Sequence, residues 1–140
     1  MRELDLRAYH DAFGSIHGAF TMDAALLFFA YGALNEAVRG SVFEIGVHHG
    51  LSAIAVAALR GDGGSMVAVD TFGASRDVVG SGGMTTDEHT FRANMSRFHR
   101  DTGFVRVIAE DSRMLRPADL GTGFSFCHID GGHSADETNH

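Results

Sequence analysis

The apolar positions of this chain follow two periods, one typical of helices and one typical of short buried strands. Seven apolar residues between Asp23 and Val38 recur at helical spacing, and Gly40 stands where a helix C-cap is expected. The pattern predicts a packed helix that leads into the first strand. Its apolar positions are Leu26, Leu27, Phe28, Phe29, Tyr31, Leu34 and Val38.

Beyond this helix, short apolar runs alternate with segments of helical spacing. The runs at 42–45, 66–69, 104–109 and 124–129 predict strands, because they are bounded by turn-forming residues. The segment 52–60 is rich in alanine and predicts the helix that follows the first strand.

The later connections carry further helix and loop signals. The glycine- and serine-rich stretch 73–86 predicts a mobile loop, which we expect to cover a ligand around Gly80–Gly83. Thr85 to Glu88 resembles a capping box, and a helix with apolar residues at 91, 95 and 98 is expected to end before Gly103. Asp111 and Ser112 are expected to cap a helical turn that Pro117 stops.

This alternation predicts an α/β fold, a Rossmann-like doubly wound parallel sheet with helices on both faces. With the switch point after the first strand, the strand order is expected to be 3-2-1-4. We expect residues 1–40 to form a helical segment packed on the core and 41–140 to form the ligand-binding domain. A fifth strand would be due where the sequence stops, so we interpret the domain as incomplete.

Composition narrows the class of partner. The 140 residues include 18 acidic residues and 11 arginines but no lysine, which gives a net charge of -7 and disfavours nucleic acid as a partner. The start of the chain lacks the apolar core of a signal peptide, and the apolar stretch 24–34 is shorter than the roughly 20 residues of a membrane span. Cys127 is the one cysteine in the sequence, so no internal disulfide can form. We therefore expect a cytoplasmic protein without membrane contact.

An acidic residue lies at or beside the C-terminal end of every predicted strand, at Glu44, Asp70, Asp111 and Asp130. These ends lie along one edge of a parallel sheet, where open α/β folds bind ligands. Each carboxylate alone could be a helix cap or a turn former. The set of four therefore predicts a binding site.

The residues of the turn after the first strand restrict the chemical class of ligand that could bind there. A nicotinamide-type fingerprint from Gly46 would need glycine at positions that hold His48 and Leu51, and a phosphate-binding P-loop would need a lysine. An acidic, less glycine-rich turn instead suits a ligand with a positive centre. A sulfonium with an amino-acid tail is such a ligand.

Four segments taken in order, 43–50, 67–72, 109–112 and 128–134, resemble class I S-adenosylmethionine-dependent methyltransferases. Within that class the chain is most similar to the small-molecule O-methyltransferases related to macrocin O-methyltransferase and, more distantly, to catechol O-methyltransferase. The resemblance covers about residue 42 to the end. It implies a seven-stranded fold, present here only in part, and S-adenosylmethionine as cofactor.

The resemblance also implies roles for individual residues. Glu44, Gly46 and Gly50 would line the methionine and ribose, and Asp70 would accept hydrogen bonds from the ribose hydroxyls. Asp111 and Ser112 would lie beside the adenine, on which Phe72 would pack. The implied cofactor set is Glu44, Gly46, Val47, Gly50, Asp70, Thr71, Phe72, Asp111 and Ser112.

Catalysis needs a base for the acceptor proton, and the candidates follow the fourth strand. His133 is a candidate base, and Asp130 would orient it or, as in metal-dependent relatives, hold Mg²⁺. We expect His48 and His49 to be turn and helix-start residues rather than ligands. Cys127, His128 and His133 lack the paired spacing of a structural zinc site.

The leading hypothesis is therefore methyl transfer from S-adenosylmethionine to a hydroxyl of a small natural-product or sugar-like acceptor, by a chain that could form a homo-oligomer. One alternative is a module that binds the nucleoside but performs no transfer. Another is an adenine-nucleotide oxidoreductase, which His48 and Leu51 disfavour.

Overall fold

The computed structural model describes residues 4–73 and 86–131 of the chain. The helices are α1 (Leu6–Ala12), α2 (Met22–Leu34), α3 (Leu51–Ala57), α4 (Glu88–Phe98) and α5 (Pro117–Leu120), and the strands are β1 (Ser41–Ile45), β2 (Met66–Val69), β3 (Val105–Ile108) and β4 (Phe124–Ile129). Short 3₁₀ turns lie at Phe13–Ser15, Glu36–Val38 and Ser112–Met114. No helix in the described ranges is long and apolar enough to cross a membrane.

The four strands form one parallel sheet in the order β3-β2-β1-β4, which confirms the predicted topology. Glu44 pairs with Ala68 on one side and with His128 on the other, so β1 occupies an inner position of the sheet. All four residues of β2 are buried, as expected for an inner parallel strand covered on both faces.

The main core lies between the sheet and α3. Every residue of α3 is buried, because small residues at Ala53, Ala55 and Ala57 let the helix approach its neighbours closely. Phe91 and Met95 of α4 pack against the same core, as their helical spacing predicts. A smaller cluster on the other face of the sheet centres on Phe43, Val67 and Val69.

The N-terminal helices join this core through an aromatic cluster. Asp5 caps α1 by accepting a hydrogen bond from the Ala8 backbone, and Thr21 caps α2 in the same way through Ala24. The Tyr9 hydroxyl donates to the carbonyl of Leu51 at 2.7 Å, which connects α1 directly to α3.

Two helix boundaries differ from the sequence prediction. The helix expected to reach Val38 ends at Leu34, since Asn35 leaves the helical conformation and a 3₁₀ turn follows. Pro117 begins α5 instead of stopping the preceding turn, because a proline at the first helical position needs no backbone hydrogen-bond donor.

Other expectations concern residues at the margins of the described ranges. Asp87 caps α4 through the Thr90 backbone, and Thr85 of the expected capping box lies outside the described residues. The predicted ligand-covering loop, including Gly80–Gly83, also lies outside them, as does His133.

Candidate functional site

Hydrogen bonds continue the sheet one residue past the strands and bring three connecting turns to one edge. The Gly46 N–H donates to Val69 O at 2.8 Å, and the Asp130 N–H donates to Ile45 O at 2.9 Å. The Asp70 N–H donates to the carbonyl that ends β3 at 3.2 Å. Gly46, Asp70 and Asp130 therefore lie along a common rim, which includes two of the four acids that the strand-end argument placed there.

The turn after β1 requires glycine at both of its ends. Gly46 has φ +84°, and a Cβ on it would overlap the carbonyl of Asp130 and lie 2.6 Å from that carbonyl's carbon. Gly50 has φ +93° at the N-cap of α3, where a Cβ would meet the Phe91 ring at 3.2 Å. A side chain at either position would therefore be strained, and at Gly46 it would also push β1 and β4 apart.

Asp70 accepts hydrogen bonds from the two connecting turns that lie on either side of it at the rim. Its Oδ2 accepts a hydrogen bond from the backbone N–H of His48 at 2.8 Å, and its Oδ1 accepts one from the backbone N–H of Phe72 at 2.8 Å. Within the described ranges, His48 and Phe72 are the non-glycine residues with positive φ, at 50° and 45°. One carboxylate thus fixes the two strained positions on either side of it.

Glu44 lies beneath the rim in a buried polar group. It is fully buried, and its Oε1 accepts hydrogen bonds from the Ser52 hydroxyl at 2.5 Å and from His128 Nδ1 at 2.8 Å. Its Oε2 is buried with no hydrogen-bond partner among the described residues. Such an acceptor is costly to leave unpaired, so the position is suited to a donor from a bound molecule.

The environment raises the pKa of both Glu44 and His128. Burial raises the pKa of the Glu44 carboxyl, although hydrogen bonds from His128 and Ser52 act in the opposite direction. The hydrogen bond to Glu44 raises the pKa of His128, against the effect of its own burial. A proton held between Glu44 and His128 is therefore favoured in the folded state.

The remaining predicted cofactor residues differ in what they contact. Asp111 accepts a hydrogen bond from the backbone of Arg113 at 2.9 Å and pairs with its guanidinium at 2.6 Å, and Ser112 begins the following 3₁₀ turn. Val47 is buried in the core, and Thr71 is half-buried. The Phe72 ring is also half-buried, with its centroid 5.9 Å from that of Phe91.

The predicted catalytic pair is only partly described. Asp130 is exposed at the end of β4, and its carbonyl is the group against which Gly46 is packed. His133 lies outside the described residues, so the proposed contact between them stays a prediction. The magnesium role of Asp130 likewise stays a prediction.

A protein-family model described as a methyltransferase domain matches residues 43–140. This match covers most of the chain and includes most of β1, the other three strands and the rim. The chain belongs to this methyltransferase family. No curated protein gives a significant match. Methyl transfer is therefore the reaction class of this domain, whose matched region begins in β1, just before the glycine turn.

Sequence reasoning missed the partners of Glu44 and the neighbours of His48. Ser52 and His128 reach Glu44 from α3 and β4, and His17 approaches His48 from a loop 31 positions earlier. The sequence of β4 does not indicate that His128 contacts Glu44. That contact depends on the register between β1 and β4, which places the two residues side by side.

Proposed function

We propose that the methyltransferase domain binds S-adenosylmethionine at the rim and transfers its methyl group to a hydroxyl of a small-molecule acceptor. The observation that carries the proposal is the Asp70 carboxylate, which fixes His48 and Phe72 in left-handed conformations. Such conformations cost about 1–3 kcal/mol each and persist where the surroundings over-determine them, which is common at ligand sites.

Asp70 retains acceptor capacity for a ligand. A carboxylate offers about four lone-pair positions, and the two described hydrogen bonds use one on each oxygen. The remaining positions suit the two hydroxyls of a ribose diol. This arrangement supports the role that the family resemblance implies for Asp70.

The charge of the site suits a cationic ligand. Asp70 and Asp130 place carboxylates on the same side of the sheet, and below them the buried Oε2 of Glu44 is an acceptor with no hydrogen-bond partner among the described residues. An amino group or a sulfonium centre gains from such neighbours, whereas a phosphate would be repelled. The residues present therefore fit S-adenosylmethionine better than a dinucleotide.

The protein's task in this reaction is alignment and the handling of one proton. When bound, S-adenosylmethionine supplies a methyl carbon activated by its cationic sulfur. Residues of this chain would hold the acceptor hydroxyl in line with that carbon, and a base would take the hydroxyl proton. Holding the acceptor in line can supply several kcal/mol, because the bimolecular entropy is lost on binding.

His133 remains the proposed base and Asp130 its orienting partner. The rim places Asp130 next to the glycine turn, at the edge where the methyl group would be presented. A general base contributes on the order of 10² to 10⁴ in rate. We propose a small hydroxylated acceptor on the basis of the resemblance to O-methyltransferases. Magnesium dependence is decided by assaying turnover with and without a chelator.

The first test measures cofactor affinity directly. Isothermal titration with S-adenosylmethionine and with its demethylated product should show saturable binding with one site per chain. Asp70→Ala should weaken both by at least about 1 kcal/mol, roughly fivefold, because a charge-assisted acceptor is lost and the turn is released.

Asp101→Ala is the matched control. Asp101 Oδ1 accepts a hydrogen bond from the backbone N–H of Gly103 at 2.8 Å, the same i to i+2 contact that Asp70 makes with Phe72. Asp101 follows α4 and lies away from the strand ends that form the rim. If both variants weaken binding equally, or neither does, the ribose assignment is wrong.

A domain that binds the nucleoside without transferring a methyl group is the second candidate. It is favoured because the contacts that Asp70 makes with His48 and Phe72 bear on nucleoside binding and involve no group that transfers a proton. Turnover against a panel of hydroxylated acceptors separates the two functions. Tight cofactor binding with no product from any acceptor would favour this second candidate.

A further inference from the structure

Three histidines from two distant parts of the sequence meet beside the glycine turn. His48 and His49 belong to the turn between β1 and α3, and His17 belongs to the loop before α2. One ring nitrogen from each of the three lies within 4.8 Å of the other two. The ring centroids of His48 and His49 are 4.3 Å apart, and that of His17 is 5.7 Å from His48.

We propose that His17, His48 and His49 form a binding site for a transition-metal ion of the zinc class, with an open coordination position. Three imidazoles plus one exchangeable ligand is a common zinc arrangement, and imidazole nitrogen also suits nickel and copper. Magnesium and calcium prefer oxygen ligands and do not match this donor set.

The distances are compatible with coordination after a small adjustment. With zinc–nitrogen bonds of about 2.0–2.1 Å in tetrahedral geometry, ligand nitrogens lie about 3.3 Å apart. The three nitrogens must therefore approach one another by no more than about 1.5 Å from their 4.8 Å limit. His17 is exposed, so rotation of its side chain can supply much of this movement without disturbing the core.

The surroundings of His48 prepare it as a ligand. Its Nδ1 lies 3.2 Å from the backbone carbonyl of His17, and in the tautomer with the proton on Nδ1 this contact is a hydrogen bond to the carbonyl. Nε2 then carries the free lone pair. A hydrogen bond from the second ring nitrogen to a backbone carbonyl is the usual support of a metal-bound histidine.

The backbone of His48 is also held in place. The backbone N–H of His48 is held by Asp70 at 2.8 Å, which keeps this residue in place before any ion arrives. The site is therefore partly pre-organised.

Metal binding would connect the N-terminal segment to the rim. An ion held by all three rings would join the loop before α2 to the strained turn that follows β1. Because the ion binds the folded chain better than the unfolded chain, it should raise the unfolding temperature. This inference needs neither S-adenosylmethionine nor methyl transfer, so it can fail or succeed independently of the proposed function.

The test is titration of the untagged 140-residue chain with ZnCl₂ after removal of metal by a chelator. We expect one high-affinity ion per chain, by competition with a chromophoric chelator, and a higher unfolding temperature with zinc than without. His17→Ala and His49→Ala should each weaken zinc binding at least tenfold, because each removes one ligand.

His10→Ala is the matched control, because His10 is an exposed histidine on α1 that is not part of the cluster. It should keep wild-type affinity. His17 is on an exposed loop, so His17→Gln keeps the test valid if His49→Ala fails to fold. If the His17 variants retain one zinc ion with unchanged affinity, the proposal is overturned, and so it is if the wild type binds no zinc.

Discussion

At the scale of the residue, one carboxylate differs from the others at the rim. Asp70 contacts the backbone on both sides of the site, whereas Asp111 is paired with Arg113. Glu44 is buried below the rim and shares its environment with His128. The four acids that look equivalent in the sequence therefore have different surroundings, and Asp70 is the one whose described hydrogen bonds join two connecting turns.

The buried pair predicts a specific dependence of stability on pH. Both pKa values are raised from their ordinary 4.5 and 6.5, so the folded state binds protons more tightly than the unfolded state. The contribution is present at low pH and is lost as pH rises through the raised values. Above pH 4.5 the free energy of unfolding should therefore fall less steeply with pH in Glu44→Gln than in the wild type. The difference in slope should be up to about 1.4 kcal/mol per pH unit for one proton.

Urea unfolding of both proteins across this pH range measures the difference. Asp87 and Asp119 have lowered pKa values and act with the opposite sign, but they are common to both proteins and cancel in the comparison. Glu88→Gln, at an exposed glutamate paired with Arg92, should keep the wild-type profile. An identical slope in wild type and Glu44→Gln would contradict the raised pKa values.

At the scale of the element, α2 shows how far spacing alone can mislead. The helical period of its apolar residues is real, yet Leu27 and Leu34 are 71% and 86% exposed while Phe29 is buried. Nearly every position of this helix is apolar, so periodicity could not indicate which side faces the core. The packed face is set by the aromatic cluster around Tyr9 and by the sheet.

This asymmetry gives a prediction for two positions of one helix, one exposed and one buried. Phe29→Ala should lower the free energy of unfolding by about 3–5 kcal/mol, because a buried ring is removed. Leu27→Ala should change it by less than about 0.5 kcal/mol, because the side chain is mostly exposed and alanine is equally helical. Chemical denaturation measures both. A large loss in Leu27→Ala would mean that another surface covers this face in solution.

At the scale of the whole molecule, the N-terminal helices and the sheet share one core. Tyr9 contacts Phe13, Phe29 and Phe98 edge-on, with centroid distances of 5.5, 6.2 and 5.8 Å, and its hydroxyl reaches α3. Its contacts therefore connect α1, α2, α3 and α4. Because these helices depend on one another, we expect them to unfold together.

Substitution of Tyr9 tests this cooperativity. Tyr9→Ala should cost about 3–5 kcal/mol and shift a single transition seen equally by far- and near-ultraviolet circular dichroism. Tyr9→Phe should cost only about 1 kcal/mol, because it removes the hydrogen bond and keeps the ring. Tyr31→Phe removes a similar but exposed bond to Ser125 O at 3.2 Å and should have little effect. A separate early transition in Tyr9→Ala would show that the N-terminal segment unfolds by itself.

Strand order and the common rim were predictable from the sequence because they depend on local signals. Apolar runs, glycine turns and capping residues each act within a few positions, and right-handed parallel connections then permit few topologies. Gly46 and Gly50 both adopt left-handed conformations that disfavour a side chain, and their role in lining the cofactor stays a prediction. The helix boundaries at Leu34 and Pro117 were missed because asparagine and proline can end or begin a helix according to context.

The amino-acid sequence by itself determined the parallel sheet, its strand order and the acids at the strand ends. Only the tertiary structure decided that Asp70 holds His48 and Phe72, that His128 and Ser52 share Glu44, and that His17 lies beside His48 and His49. The physical reason is that these contacts join residues up to 84 positions apart. Strand register and helix packing set such distances, and a local pattern does not encode them.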